Sequence, residues 1–242
     1  MRFPGKPLAL IAGKPMIQWV YGRVRKAQGF DEVIVATDSQ EIAAVVAGFG
    51  GRVEMTRPDH PSGTDRVWEV AEKMPEATYI FNVQGDEPLI DPLYLEEACA
   101  VLQNHHGSID IITLKAPIRD VGEFEDPHIV KVVTTQDGKA LYFSRSPIPY
   151  GRDAVQSENV QAQSFRHIGV YGFTRDALQK FISLPISPLE TLEKLEQLRA
   201  LEAGMYIHAL TVPQAPIGVD TPEDLQRIQP MFAQSEEMEC PL

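Results

Sequence analysis

The sequence contains only two cysteines in 242 residues, Cys99 and Cys240, which excludes a disulfide framework and a cysteine-rich metal site. No apolar run approaches the roughly 18 residues that a bilayer span requires. The opening Met1-Arg2-Phe3-Pro4-Gly5-Lys6 has no apolar core of a secretory signal. A reducing cytoplasm is the expected location. Positive charge is scarce as well: 22 Lys and Arg against 34 Asp and Glu leave a formal net charge of −12. Nucleic acid and anionic membranes both favour basic surfaces, so neither is an expected partner. A small anion can still be held where a few Lys and Arg converge. There is no Gly-x-Gly-x-x-Gly, which argues against a dinucleotide dehydrogenase. There is no Asp-x-Asp pair either, which argues against a metal-dependent glycosyltransferase.

What is present is an ordinary globular composition, 43% hydrophobic and 23% charged. The first hundred residues alternate short apolar runs with helical patterns. Strands are expected at Glu32 to Ala36, Arg52 to Thr56 and Tyr79 to Val83. Helices are expected at about Pro15 to Gln28, after Ser39 as N-cap, over Gly63 to Met74 and from Pro92 to about Asn104. This rhythm argues for an α/β fold with a mostly parallel sheet and helices on both faces. The middle differs. Ile111 to Lys115, Ile129 to Thr135, Lys139 to Ser144 and Phe165 to Phe173 read as strands, with a turn at Gln136-Asp137-Gly138. Pro188 to Ala203 reads as one helix with leucines at three-residue steps, and Tyr206 to Val212 as a strand. Thr221-Pro222-Glu223-Asp224 starts a last helix, and the chain is expected to loosen after Pro230.

Several segments carry chemistry. Pro4-Gly5-Lys6-Pro7 offers a glycine that lets backbone amides approach an anion and a lysine as point charge, or is a plain turn. Gln84-Gly85-Asp86-Glu87-Pro88 follows a strand, where ligands bind in open α/β sheets, and Asp86 can hold Mg²⁺ against a nucleotide phosphate, or the segment is a solvated acidic turn. Asp220 supplies a second carboxylate that capping does not explain. Ser62-Gly63-Thr64-Asp65-Arg66 is a helix start whose amides favour an anion or a base edge, or an ordinary cap. Arg145, Arg166 and His167 lie near strand ends.

Together these stretches (PGKPL, VIVATD, MTRPDHPSGTDR, NVQGDEP, VKVV, ALYFSRSPIP, FRHIGVYGF, SPLETLEKLEQLR and GVDTPEDL) resemble the 3-deoxy-manno-octulosonate cytidylyltransferases, from Pro4 to about Ile228. The resemblance implies a nucleotide-diphospho-sugar transferase-like fold with a small β-hairpin subdomain. It implies a reaction of CTP with 3-deoxy-D-manno-octulosonate (Kdo) to give CMP-Kdo and pyrophosphate for lipopolysaccharide. It also implies Mg²⁺ as cofactor and a homodimer. It makes residues 1–230 one domain, with a hairpin and dimerisation insert at about 117–165, and 231–242 a flexible acidic tail. By matched motif, Lys6 sits against the triphosphate, and Asp86 and Asp220 hold Mg²⁺. Ala36, Thr37, Asp38, Ser62, Gly63 and Thr64 border the nucleotide. Arg66, Gln84, Arg145, His167, Tyr171, Glu196 and Gln197 line the sugar pocket. Members of that family open with a strand and a loop of the type I-P-A-R-x-x-S-x-R-[LF]-P-G-K-P. The match here starts at Arg2-Phe3, so a misassigned start codon or a truncated chain is expected. The alternatives are a sialic acid cytidylyltransferase and a homologue that binds nucleotide or sugar without turnover.

Overall fold

A computed structural model describes residues 5–105, 107–152, 164–219 and 221–233. The chain forms two compact units. One comprises Met1–Met74, Val83–Glu97 and Pro216–Leu242; the other comprises Pro75–Asn82 and Ala98–Ala215.

The first unit opens with Gly5 in the left-handed region (φ 70°, ψ 14°), which turns the chain into a 3-10 turn, Lys6–Leu8. β1 (Leu10–Ile11) and β2 (Lys14–Pro15) then form a short antiparallel hairpin. Its two-residue loop, Ala12 and Gly13, has positive φ at both positions (46° and 77°), as tight hairpins favour. α1 (Met16–Lys26) follows, two residues shorter at its end than the apolar spacing suggests. β3 (Ile34–Thr37) and β4 (Arg52–Met55) pair in parallel around α2 (Gln40–Gly48), which Ser39 caps by accepting from the Ile42 amide. α3 (Gly63–Glu72) is capped in the same way by Ser62. α9 (Pro222–Ala233) closes the unit. Ile11, Met16, Val219, Ile228 and Phe232 form its apolar cluster, with Trp19 against Phe232. Gln229 clamps the front hairpin: its Nε2 donates to the Leu10 carbonyl (2.8 Å) and its Oε1 accepts from the Ala12 amide (3.0 Å). The chain therefore does not loosen at Pro230; buried Phe232 holds the helix to Ala233. Cys240 and the rest of residues 234–242 lie outside the described residues.

The second unit is built on a six-stranded sheet in the order β10-β6-β9-β7-β8, with β5 also paired to β9. Its strands are β5 (Tyr79–Asn82), β6 (Ile111–Pro117), β7 (Lys131–Thr134), β8 (Ala140–Ser144), β9 (Phe165–Thr174) and β10 (Ile207–Thr211). Its helices are α5 (Val121–Glu125), α6 (Arg175–Ser183), α7 (Pro188–Glu193) and α8 (Gln197–Glu202); α4 (Pro92–Asn104) has residues in both units. β6 is buried along nearly its whole length, which explains its mostly apolar character, interrupted by buried Thr113 and Lys115. Cys99 is buried, as expected of a core position. The α/β class stands, but the pairing is mixed. β3–β4 and β6–β10 are parallel, and every pairing of β9 is antiparallel.

The helix expected over Pro188 to Ala203 also differs from expectation. It is two helices, because Lys194 adopts the left-handed conformation (φ 56°, ψ 45°). Regular leucine spacing favours a continuous helix, and the tertiary contacts of Glu193 override it.

Candidate active site

In the first unit the predicted phosphate-side residues meet. The Lys6 ammonium lies 2.6 Å from Asp86 Oδ2, across 80 residues of sequence. Both side chains are largely covered, at 21% and 31% exposure, so the pair sits in a recess yet stays within reach of solvent. The left-handed Gly5 sets the lysine turn, and Gln229 holds the hairpin that comes after it. The Asp86 carbonyl accepts from the Val219 amide (3.0 Å), which ties the QGDEP loop to the segment of the second predicted carboxylate. Asp220 itself lies outside the described residues. Gln84 starts the same loop, its carbonyl accepting weakly from the Glu87 amide (3.4 Å).

Ala36, Thr37 and Asp38 lie at the carboxyl end of β3. Arg66, one turn into α3, gathers this region. Its Nη1 donates to Thr56 Oγ1 (2.5 Å) and the Arg57 carbonyl (3.3 Å), and pairs with Asp38 Oδ1 at 3.3 Å. Arg66, predicted for the sugar pocket, is thus bonded among the nucleotide-side residues. Ser62, Gly63 and Thr64 form the helix start beside it, with Ser62 Oγ donating to Asp65 (2.7 Å). Glu69 steadies the preceding loop, accepting from His60 (2.5 Å) and from the Arg57 amide (3.1 Å). These bonds hold its carboxyl below the usual range.

The remaining predicted residues belong to the second unit. Arg145 is held on three sides. Its amide donates to Glu193 Oε2 (2.9 Å), its Nε to the Glu193 carbonyl (2.8 Å) and its Nη1 to the Pro127 carbonyl (3.0 Å). Glu193 Oε1 also accepts from Ser144 Oγ (2.6 Å). The break at Lys194 lets the end of α7 cap this turn. Sequence reading missed Glu193 because a glutamate on a helical pattern reads as solvated surface.

His167 and Tyr171 lie on β9 with their rings 5.4 Å apart, and Phe143 meets His167 edge-on at 5.0 Å. Burial, and then the positive Arg166, push the His167 pKa down to about 3, so the ring is neutral at physiological pH. Burial, and then nearby Glu196, raise the Tyr171 phenol well above its ordinary value, so it stays protonated. Glu196 and buried Gln197 start α8. His167 and Tyr171 thus set a neutral imidazole beside a phenol on β9, while the Arg145 guanidinium is fixed separately by Glu193 and Pro127.

A lysine and a carboxylate brought together on glycine-bearing loops of an α/β fold are compatible with the phosphate handling of a nucleotidyltransferase, the class to which the relatives below belong. The fold is shared with 4-diphosphocytidyl-2C-methyl-D-erythritol synthase of Anaerococcus prevotii (TM-score 0.62, 11% identity, covering 94% of this chain and 93% of that one). Residues 1–207 match the family described as Cytidylyltransferase. The chain is 54% identical to the 3-deoxy-manno-octulosonate cytidylyltransferase of Syntrophotalea carbinolica, over 94% of this chain and 92% of the relative. It is 47% identical to the 8-amino-3,8-dideoxy-manno-octulosonate cytidylyltransferase of Shewanella baltica, over 96% and 94%. A CMP:2-keto-3-deoxy-manno-octonic acid synthetase solved with CTP superposes with a TM-score of 0.89 at 43% identity, covering 97% of this chain and 94% of that one. The chain belongs to the cytidylyltransferase family, in the branch of the 3-deoxy-manno-octulosonate cytidylyltransferases.

Proposed function

We propose that this chain transfers the cytidylyl group of CTP to Kdo, giving CMP-Kdo and pyrophosphate. The observation that carries the reading is the Lys6–Asp86 pair, a cation and a hard oxygen donor set 2.6 Å apart by two separate loops, in a chain of this family. The anomeric 2-hydroxyl oxygen of Kdo attacks the α-phosphorus in line. A new phosphorus–oxygen bond forms, the bond from the α-phosphorus to the bridging oxygen breaks, and the hydroxyl proton leaves to solvent. Lys6 shifts from Asp86 toward the triphosphate and balances its charge. Arg145, already oriented by Glu193, suits a two-pronged contact with the sugar carboxylate. Holding both reactants in line supplies much of the rate.

The Asp86 carboxylate, reachable from solvent, fits a divalent ion, and Asp86 with Asp220 would hold Mg²⁺. Such an ion would supply neutralisation of charge developing at the phosphate. The product supplies the Kdo region of lipopolysaccharide. A cytoplasmic homodimer belongs to the same reading. Among the described residues no helix is long and apolar enough to cross a membrane. Leu141, Tyr150, Ile186 and Leu192 leave apolar surface for self-association, which light scattering checks.

The test is pyrophosphate release and chromatographic detection of the CMP-sugar with CTP and either Kdo, its 8-amino analogue or sialic acid. Turnover with Kdo above the other two is expected. The relative from Shewanella baltica makes the 8-amino sugar the second reading; preference for it would replace the substrate and keep the reaction class.

A further inference from the structure

Thr113 is a buried hydroxyl in the middle of β6, a strand otherwise almost wholly apolar. It stands at a bulge. Thr113 lies opposite Tyr171 and Leu114 opposite Ile168, so Gly169 and Val170 of β9 have no counterparts on β6. A bulge leaves backbone groups without ladder partners. The Thr113 hydroxyl takes up this slack: it lies 2.7 Å from the Val170 carbonyl and 3.3 Å from the Ile168 carbonyl. It also lies 2.8 Å from His167 Nε2.

A hydroxyl has one proton. Carbonyls only accept, so that proton goes to a carbonyl, and the shorter contact selects Val170. The bond to His167 must then run the other way, with Nε2–H donating to the threonine oxygen. A neutral ring with its proton on Nε2 carries a lone pair on Nδ1. Among the described residues no hydrogen bond is made to Nδ1. We infer that Thr113 is a positioning residue that fixes His167 as its Nε2–H tautomer and thereby presents Nδ1 as an obligate acceptor for a hydroxyl of the sugar acid. This rests on the proposed function in one respect, that His167 faces the sugar.

The consequence is selective. An Nδ1 lone pair attracts a hydroxyl and repels a carboxylate, so the sugar is oriented with its acid group elsewhere, at a cation. The same ring with the proton on Nδ1 would invert that preference. The bulge is what makes the choice possible, because a regular ladder would use the Val170 carbonyl and free the threonine proton for the histidine.

Long-range proton–nitrogen NMR of the full chain reads the tautomer directly. The wild type is expected to show a neutral Nε2–H His167 at pH 7; a charged ring or an Nδ1–H tautomer overturns the inference whatever the variants do. In Thr113→Val the tautomer is expected to become mixed. The sugar KM should rise about tenfold, with the CTP KM unchanged, and Thr113→Ser should restore both. A Thr113→Val chain that keeps the wild-type tautomer, or that loses it with unaltered sugar kinetics, overturns the role. If the wild type gives no CMP-Kdo at all, the proposed function fails, while the spectrum still decides the nitrogen assignment.

Discussion

Glu193→Ala removes a carboxylate that accepts from Ser144 Oγ at 2.6 Å and from the Arg145 amide at 2.9 Å. Hydrogen bonds to charged groups contribute about 1.5–3 kcal/mol each. Glu193 is only half-buried, so water replaces part of the loss, and roughly 2–4 kcal/mol is the expected destabilisation. For a chain of this size each kcal/mol moves Tm by about 2–4 °C, which gives a drop of roughly 5–15 °C. Arg145 does not come free, because its Nε still reaches the backbone carbonyl of residue 193 and its Nη1 that of Pro127. The turn bearing it loosens instead. The sugar KM should therefore rise about tenfold, equivalent to ~1.4 kcal/mol, with the CTP KM held. Glu193→Gln keeps one acceptor of the same size and should show about half of each effect. Thermal unfolding by circular dichroism and a pyrophosphate-coupled assay read both quantities. An alanine variant with Tm within about a degree of wild type and an unaltered sugar KM would refute the reasoning that this carboxylate sets Arg145.

Asp86→Asn should separate function from folding. The Lys6 pair is partly exposed and contributes at most about 1 kcal/mol, so Tm should move by no more than about 4 °C. Turnover should fall by roughly two orders of magnitude or more, about 3 kcal/mol in transition-state terms; normal turnover would remove Asp86 from the phosphate site. His167 predicts a pH effect of definite sign. Its folded pKa of about 3 lies below the ordinary 6.5, so between those values the unfolded chain binds a proton that the fold refuses. Its contribution is complete above pH 6.5 and is lost as pH falls, by up to ~1.4 kcal/mol per unit. Urea unfolding of wild type against His167→Gln at pH 7, 6 and 5 should show the wild type losing stability relative to the variant on acidification. A difference that stays constant with pH would contradict the buried neutral ring.

Much of the fold is local and was legible. Ser39 and Ser62 cap helices where hydroxyls precede apolar periodicity, and Thr221 accepts from the Asp224 amide at the start of α9, as its spacing predicts. Lys6 and Asp86 each stand out in the sequence as a charge beside a glycine, a pattern that a plain turn also produces. Their meeting was not legible, since 80 residues separate them and only the packed loops set the 2.6 Å. The helix break at Lys194 and the end of α9 were misread for the same reason. A leucine repeat and a proline are local signals, whereas the contacts of Glu193 and Phe232 that decide the backbone come from distant segments.

By itself the sequence determined the class of elements, the acidic surface and the family, because propensity, capping, charge and motif are carried by neighbouring residues. The tertiary structure alone decided the mixed pairing around β9, the reach of Arg66 to Asp38 and the threonine contact of His167. Each depends on register between strands or on loop closure, and a one-residue shift of β9 would undo the last while leaving every local signal intact.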